Sequence, residues 1–310
     1  MRCKLPAVAN RELQLVTNLC RFSRRKRRPT VVDLGRIAEL RAQYDEIANG
    51  HRLPRDIRSQ PVDVGGVAAE WLSGPTSSDR CAILYLHGGC YVSGSVETHR
   101  DLMARLSIAA SMRVLGLNYR LAPIHPFPAA VEDAAVAYRW LVETDIDPAR
   151  IVIAGDSAGA GLALAATLSV RDEGIPLPAA LVCLSPWVDL AATGASMETK
   201  AHEDPIVSRA MLLGWAKLYL GDRDPRTPLA SPLYADLHGI PPLLIQVGSA
   251  EVLLDDSTRL ADRASVAGVD ITLEVWPEMI HVWQSFAEIL PEGRQAIERI
   301  GKFIQMRVAD

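Results

Sequence analysis

From residue 61 onward, short apolar runs recur along the chain: Ala82–Leu86, Arg113–Asn118, Ile151–Ala154, Ala180–Leu184, Leu243–Val247 and Ile271–Val275. Each has the length of a buried strand, and most are separated by a stretch of helical pattern. The runs are continuous rather than alternating, as in a parallel sheet covered on both faces. Ahead of them, Val62-Asp63-Val64 and Ala68–Leu72 flank Gly65-Gly66 and predict a hairpin. Strands alternating with helices in this order specify an α/β domain with a doubly wound, mostly parallel sheet.

Two regions depart from that rhythm. The connection between Leu184 and Leu243 is far too long for a turn and contains a predicted helix, Ser208–Leu220, followed by turn-rich Gly221–Pro225. Such an insertion is usually a lid or subdomain. Residues 1 to about 55 are helical in pattern and carry the basic run Arg24–Arg28, stopped by Pro29. The expected organisation is N-terminal cap helices over 1–55 and a main domain over 56–310, with a cap insertion at about 188–235. A solvated helix end accounts for the basic run, since no aromatic or second basic cluster accompanies it to suggest nucleic acid.

Composition narrows the class. Of 310 residues, 49% are apolar and 23% charged, and 33 Lys and Arg against 37 Asp and Glu give a net charge of −4. These values exclude disorder, and they leave no overall electrostatic footprint for nucleic acid. The five cysteines are scattered and lack paired spacing, so neither a disulfide framework nor a zinc site follows. No stretch has the length of a membrane span. A reduced, cytoplasmic, soluble protein is expected.

The chemistry centres on Gly155-Asp156-Ser157-Ala158-Gly159, a G-x-S-x-G that follows the strand Ile151–Ala154 and opens a helix. Strand, tight turn and helix form the context in which this motif exposes a nucleophilic serine. His87-Gly88-Gly89-Cys90-Tyr91 follows the strand Ala82–Leu86. Its glycines free the Gly88 and Gly89 amides, with that of Ala158, to form an oxyanion hole. His87, preceding the nucleophile, reads as a structural residue under the loop. No G-x-G-x-x-G follows a strand and no H-E-x-x-H occurs, so neither a dinucleotide cofactor nor a metal is expected.

These motifs, with Tyr119-Arg120-Leu121-Ala122-Pro123, Pro126–Ala130 and Asp133 between them, resemble those of the hormone-sensitive-lipase-like (bacterial family IV) carboxylesterases. The resemblance runs from about residue 60 to the end. It implies an α/β-hydrolase fold: a mostly parallel central sheet, helices on both faces and a helical cap. Where that family has a fourth glycine after its histidine, this chain has Cys90. That residue either lines the acyl site, where a bulky modification blocks the substrate, or is a buried, inert thiol.

A serine hydroxyl needs a base, and in this fold the order is serine, acid, histidine. Of His202, His238 and His281, the last follows the final strand and matches the family's histidine. The acid is expected after the strand Leu243–Val247. Most relatives carry aspartate at the position matching Glu251, which makes Glu251 the leading candidate. Asp255, Asp256 and, after the previous strand, Asp189 remain alternatives; Asp255 and Asp256 also suit helix capping.

The expected activity is a serine carboxylesterase acting on short-to-medium acyl esters through an acyl-enzyme, with Ser157, Glu251 and His281 as triad and a small-molecule ester as substrate. An amidase or lipase would use the same triad. A ligand-binding receptor is the rival of another class, and retention of both Ser157 and His281 argues for an enzyme. The resemblance leaves a homodimer open as the assembly.

Overall fold

A two-residue loop starts the sheet. β1 (Arg58–Val64) and β2 (Val67–Ser73) pair antiparallel, with Val64 opposite Val67. Gly65 and Gly66 stand at φ +63° and +90°, the pair of left-handed residues that lets a tight loop follow the strand twist. The structure, a computed structural model, describes residues 11–26, 37–39, 41–42 and 53–308.

Six further strands follow: β3 (Ser78–Leu86), β4 (Met112–Leu117), β5 (Ile151–Asp156), β6 (Ala180–Leu184), β7 (Leu243–Gly248) and β8 (Ile271–Trp276). Together they make an eight-stranded sheet in the order β1-β2-β4-β3-β5-β6-β7-β8. β2 meets β4 antiparallel, and every pairing from β4 to β8 is parallel. The central strands β5, β6 and β7 are buried throughout, which is why their sequences read as unbroken apolar runs.

Side-chain alternation divides the core. Leu84, Leu86, Ile153, Leu181 and Ile245 face one layer, while Ile83, Tyr85, Val152, Val182 and Leu244 face the other. The second layer is covered by α2 (Val96–Ala110) and the C-terminal helix Pro291–Gln305. The first is covered by α3 (Ala129–Glu143) and α4 (Ala158–Asp172), joined by the helix Leu254–Val266. Helix α4 is buried almost all round and consists of small and aliphatic residues, as a central helix must. Ser95 caps α2 through the Thr98 amide, and this fixes the helix that carries His99.

Between β6 and β7 the insertion holds α5 (Ser196–Thr199) and α6 (Arg209–Leu220). The helices named by range above are then α7 (Leu254–Val266) and α8 (Pro291–Gln305). Leu212, Trp215 and Tyr219 anchor α6 in the main apolar cluster. At the N-terminal end, α1 (Arg11–Lys26) packs Leu13 and Val16 on Met279, Ile280 and Trp283 in the segment after β8. The basic run begins in the last turn of α1; Arg27 and Arg28 lie outside the described residues, as does part of segment 1–55. Among the described residues, no helix is long and apolar enough to cross a membrane.

Candidate active site

Three parallel strands end at one edge of the sheet and deliver the functional side chains there. At the end of β5, Ser157 adopts φ 53° and ψ −118°, a conformation that non-glycine residues hold only under constraint. The constraint is close packing: a Cβ on Gly159 would strike Leu86 O, and one on Gly155 would strike Gly159 O. The Ser157 N–H donates to Leu184 O at 2.8 Å, and Ser157 O accepts the Trp187 N–H at 3.0 Å. The elbow is thereby pinned to the end of β6.

His281 arrives from the segment after β8. Its Nε2 lies 3.0 Å from Ser157 Oγ and its Nδ1 2.8 Å from Glu251 Oε2. A neutral imidazole with its proton on Nδ1 donates to the carboxylate and accepts from the serine hydroxyl. Burial alone would lower the pKa of His281; the Glu251 hydrogen bond and charge, aided by Asp204 and Asp156, outweigh it and raise the value.

Glu251 follows β7 and is fully buried. Its second oxygen, Oε1, accepts the Gly248 N–H at 2.6 Å and the Ser185 hydroxyl at 2.9 Å. The same hydroxyl accepts the Val282 N–H at 3.0 Å, so Ser185 joins the acid to the chain just past the histidine. The acid and histidine segments are also laced directly: Ser249 N–H to Trp276 O at 2.9 Å, Ala250 N–H to Met279 O at 3.1 Å.

The other candidate acids are occupied elsewhere. Asp255 Oδ2 accepts the Ser196 N–H at 2.9 Å. Asp256 Oδ2 accepts the Val188 and Asp189 amides at 3.0 and 2.9 Å. Asp189 takes Thr193, Tyr234 and Arg259 as partners. His238 is exposed and bonds Asp236, and His202 lies in a turn of the insertion.

The expectation for Gly88 needs correction. Its N–H donates to Asp156 Oδ1 at 3.0 Å and so is spent on fastening the loop to the elbow. Asp156 Oδ1 also accepts the Tyr85 hydroxyl at 2.7 Å and lies 3.4 Å from His99 Nε2. Burial would raise the Asp156 pKa, but His99 and Tyr85 lower it on balance. His87 stacks on Tyr119 with centroids 4.2 Å apart; burial and the charge of His99 push its pKa down to about 3, which keeps it neutral.

Beyond Gly88 the chain turns through left-handed backbone, with φ +117° at Gly89, +57° at Cys90 and +62° at Tyr91. The amides of Gly89, Cys90 and Ala158 meet no acceptor among the described residues. A glycine suits the backbone of Cys90 better than a cysteine does. Burial, then the charge of Asp156, pushes the Cys90 thiol up to about 12. From the N-terminal segment, Arg41 donates to Val92 O at 2.8 Å and to Ala122 O at 3.1 Å, bracing this loop from outside.

Sequence reasoning missed Ser185, His99, Arg41 and Asp204. None lies in a recognised motif, and the one usable signal was that Ser185 stands at the carboxyl end of a central strand, where sites gather.

The sheet order and the elbow define the α/β-hydrolase class. A family model described as the alpha/beta hydrolase fold matches residues 83–285. An acetyl-hydrolase of Streptomyces hygroscopicus is 49% identical over 298 residues, covering 96% of this chain and 97% of that protein. An esterase of Acinetobacter venetianus is 36% identical over 265 residues, 85% of this chain and 87% of its own. The crystal structure of an esterase from the bacterial hormone-sensitive lipase family superposes with a TM-score of 0.92 at 50% identity, covering 97% of this chain and all of that one. The chain belongs to the bacterial hormone-sensitive-lipase family of α/β hydrolases.

Proposed function

We propose that this chain is a serine carboxylesterase that hydrolyses short-to-medium acyl esters through an acyl-enzyme. The observation that carries the reading is the unbroken line Ser157 Oγ, His281 Nε2, His281 Nδ1, Glu251 Oε2, with separations of 3.0 and 2.8 Å. In the proposed reaction Ser157 Oγ attacks the ester carbonyl carbon while its proton passes to His281 Nε2. Glu251 holds the imidazole in the tautomer that can accept it and stabilises the imidazolium. The amides of Gly89, Cys90 and Ala158, rather than Gly88, face the developing oxyanion. His281 then protonates the leaving alcohol, and a water deprotonated by the same nitrogen releases the acid.

The name of the Streptomyces relative supports a short acyl group. Helix α1 and the insertion serve as the cap in this reading. The scattered cysteines fit a cytoplasmic setting, with a small-molecule ester as the partner and no cofactor.

Turnover of p-nitrophenyl acetate, butyrate, octanoate and laurate tests the proposal. Ser157→Ala should lower kcat by about 10⁴-fold or more with the fold intact. Glu251→Gln should cost about 10²–10⁴-fold, whereas Asp189→Asn and Asp255→Asn should keep turnover per folded molecule. An active Ser157→Ala enzyme refutes the reading; an active Glu251→Gln enzyme refutes the choice of acid.

A further inference from the structure

The insertion sends one buried carboxylate toward the acid segment. Asp204 lies between α5 and α6 and is buried. Its Oδ1 accepts the Ile206 and Val207 N–H groups, each at 2.8 Å, which turns the chain around Pro205. Its Oδ2 leaves the insertion and accepts the Val252 N–H at 2.9 Å. On the opposite side, Ser196 Oγ donates to Val252 O at 2.5 Å and accepts the Asp255 N–H at 3.0 Å. Val252 is therefore gripped at both its N–H and its carbonyl by residues of the insertion.

That grip matters because Val252 directly follows Glu251. The place of the Val252 nitrogen sets ψ of Glu251, and with it the direction in which the glutamate side chain leaves the backbone. Glutamate has three side-chain torsions between its backbone and its carboxylate, so a small error at the start grows by the time it reaches His281. A shift of about 1 Å in a catalytic array can cost on the order of 10²-fold in rate.

Asp204 also acts through charge. A carboxylate out of water is costly unless hydrogen bonds replace its hydration. The amides of Ile206, Val207 and Val252 replace part of it, while burial still raises the Asp204 pKa on balance and the charge of His281 pulls it back down. Three carboxylates act on the His281 imidazole: Glu251, hydrogen-bonded to it from the segment after β7, and, through charge alone, Asp204 from the insertion and Asp156 from the elbow. Each favours the protonated ring.

We propose that Asp204 is a positioning residue for ester hydrolysis: with Ser196 it clamps Val252 so that Glu251 points at His281, and its charge favours the imidazolium formed during reaction. The inference rests on the esterase reading, and the experiment separates the two. Wild-type turnover of p-nitrophenyl acetate that disappears in Ser157→Ala secures that reading, and failure here sinks it irrespective of Asp204. Against that reference, Asp204→Asn is compared by kcat, KM, burst titration of functional sites and the pH profile of kcat/KM.

The variant should lose at least ~10-fold in kcat per titrated site, with KM within about threefold. Its acid limb should move to lower pH, because the imidazolium has lost a neighbouring negative charge. A merely structural role would reduce the titrated fraction and leave the limb in place. A wild-type kcat per site, or an unmoved acid limb at any kcat, overturns the proposal. Should Asp204→Asn fail to fold, Ser196→Ala examines the same clamp by removing one hydroxyl. A kcat several-fold lower at unchanged KM then supports the proposal, and a wild-type kcat overturns it.

Discussion

Replacing Ser185 by alanine removes a single oxygen at the junction of the acid and histidine segments. That hydroxyl, fully buried, donates to Glu251 Oε1 at 2.9 Å and accepts the Val282 N–H at 3.0 Å. The lost bond to the carboxylate is worth roughly 1.5–3 kcal/mol, and the Val282 amide left buried without an acceptor costs about 1–3 kcal/mol. Because one hydroxyl serves both and the vacated space admits some relaxation, the combined loss should be about 2–4 kcal/mol. For a chain of 310 residues that lowers Tm by roughly 3–6 °C while leaving the variant folded at 25 °C. Glu251 keeps the Gly248 N–H on the same oxygen, so its carboxylate swings rather than detaches, and kcat should fall by about tenfold with little change in KM. Thermal unfolding followed by circular dichroism, with p-nitrophenyl acetate kinetics on the same samples, reads both quantities. A Tm within 1–2 °C of wild type together with an unchanged kcat would refute the reasoning, since Ser185 would then hold nothing in place.

The raised pKa of His281 has a sign that can be checked. In the proposed reaction His281 must be neutral to act as base, so kcat/KM should fall as pH drops, with its acid limb inflecting above the ordinary 6.5; an inflection below 6.5 contradicts the carboxylate environment described. By linkage, the same group stabilises the fold fully below its unfolded pKa and loses that contribution as pH rises through the higher folded value. Cys90, with its thiol pushed up to about 12, should be inert to iodoacetamide at pH 8, because the thiolate is the nucleophile. Rapid inactivation that vanishes in Cys90→Ala would show the thiol to be ionised and accessible.

Hydrophobic runs read well as strands because the sheet is covered on both faces, but their ends did not. β5 continues through Gly155 and Asp156 because Asp156 still pairs with Leu184 on β6, and polarity in the sequence hides that pairing. β3 starts at Ser78, in exposed polar residues no apolar run would include. The meeting of Ser157 and His281 was legible because each stands beside a strand end with local signals of its own. Gly88 was misread because a motif shows where amides cluster, not which acceptor each finds; its acceptor, Asp156, is distant in sequence. Glu251, Asp255 and Asp189 could not be separated by local pattern, since each follows a strand or opens a helix. Only the paths of β6 and β7 decide which carboxylate comes to His281, and Ser185 and Asp204 depend on that same tertiary meeting.

The contact of Arg41 with Val92 O and Ala122 O bears on how such a protein could be rebuilt. The segments that cover the sheet edge look, along the chain, like interchangeable attachments. Yet Arg41 braces the loop that carries the Gly89 and Cys90 amides, and Leu13 and Val16 rest on the residues leading into His281. A chimera that borrows its N-terminal segment from a relative would keep every residue of the Ser157–His281–Glu251 line and still lose the struts around it. Modularity here ends at the level of the backbone carbonyl, and a graft meant to change substrate preference should carry the arginine across.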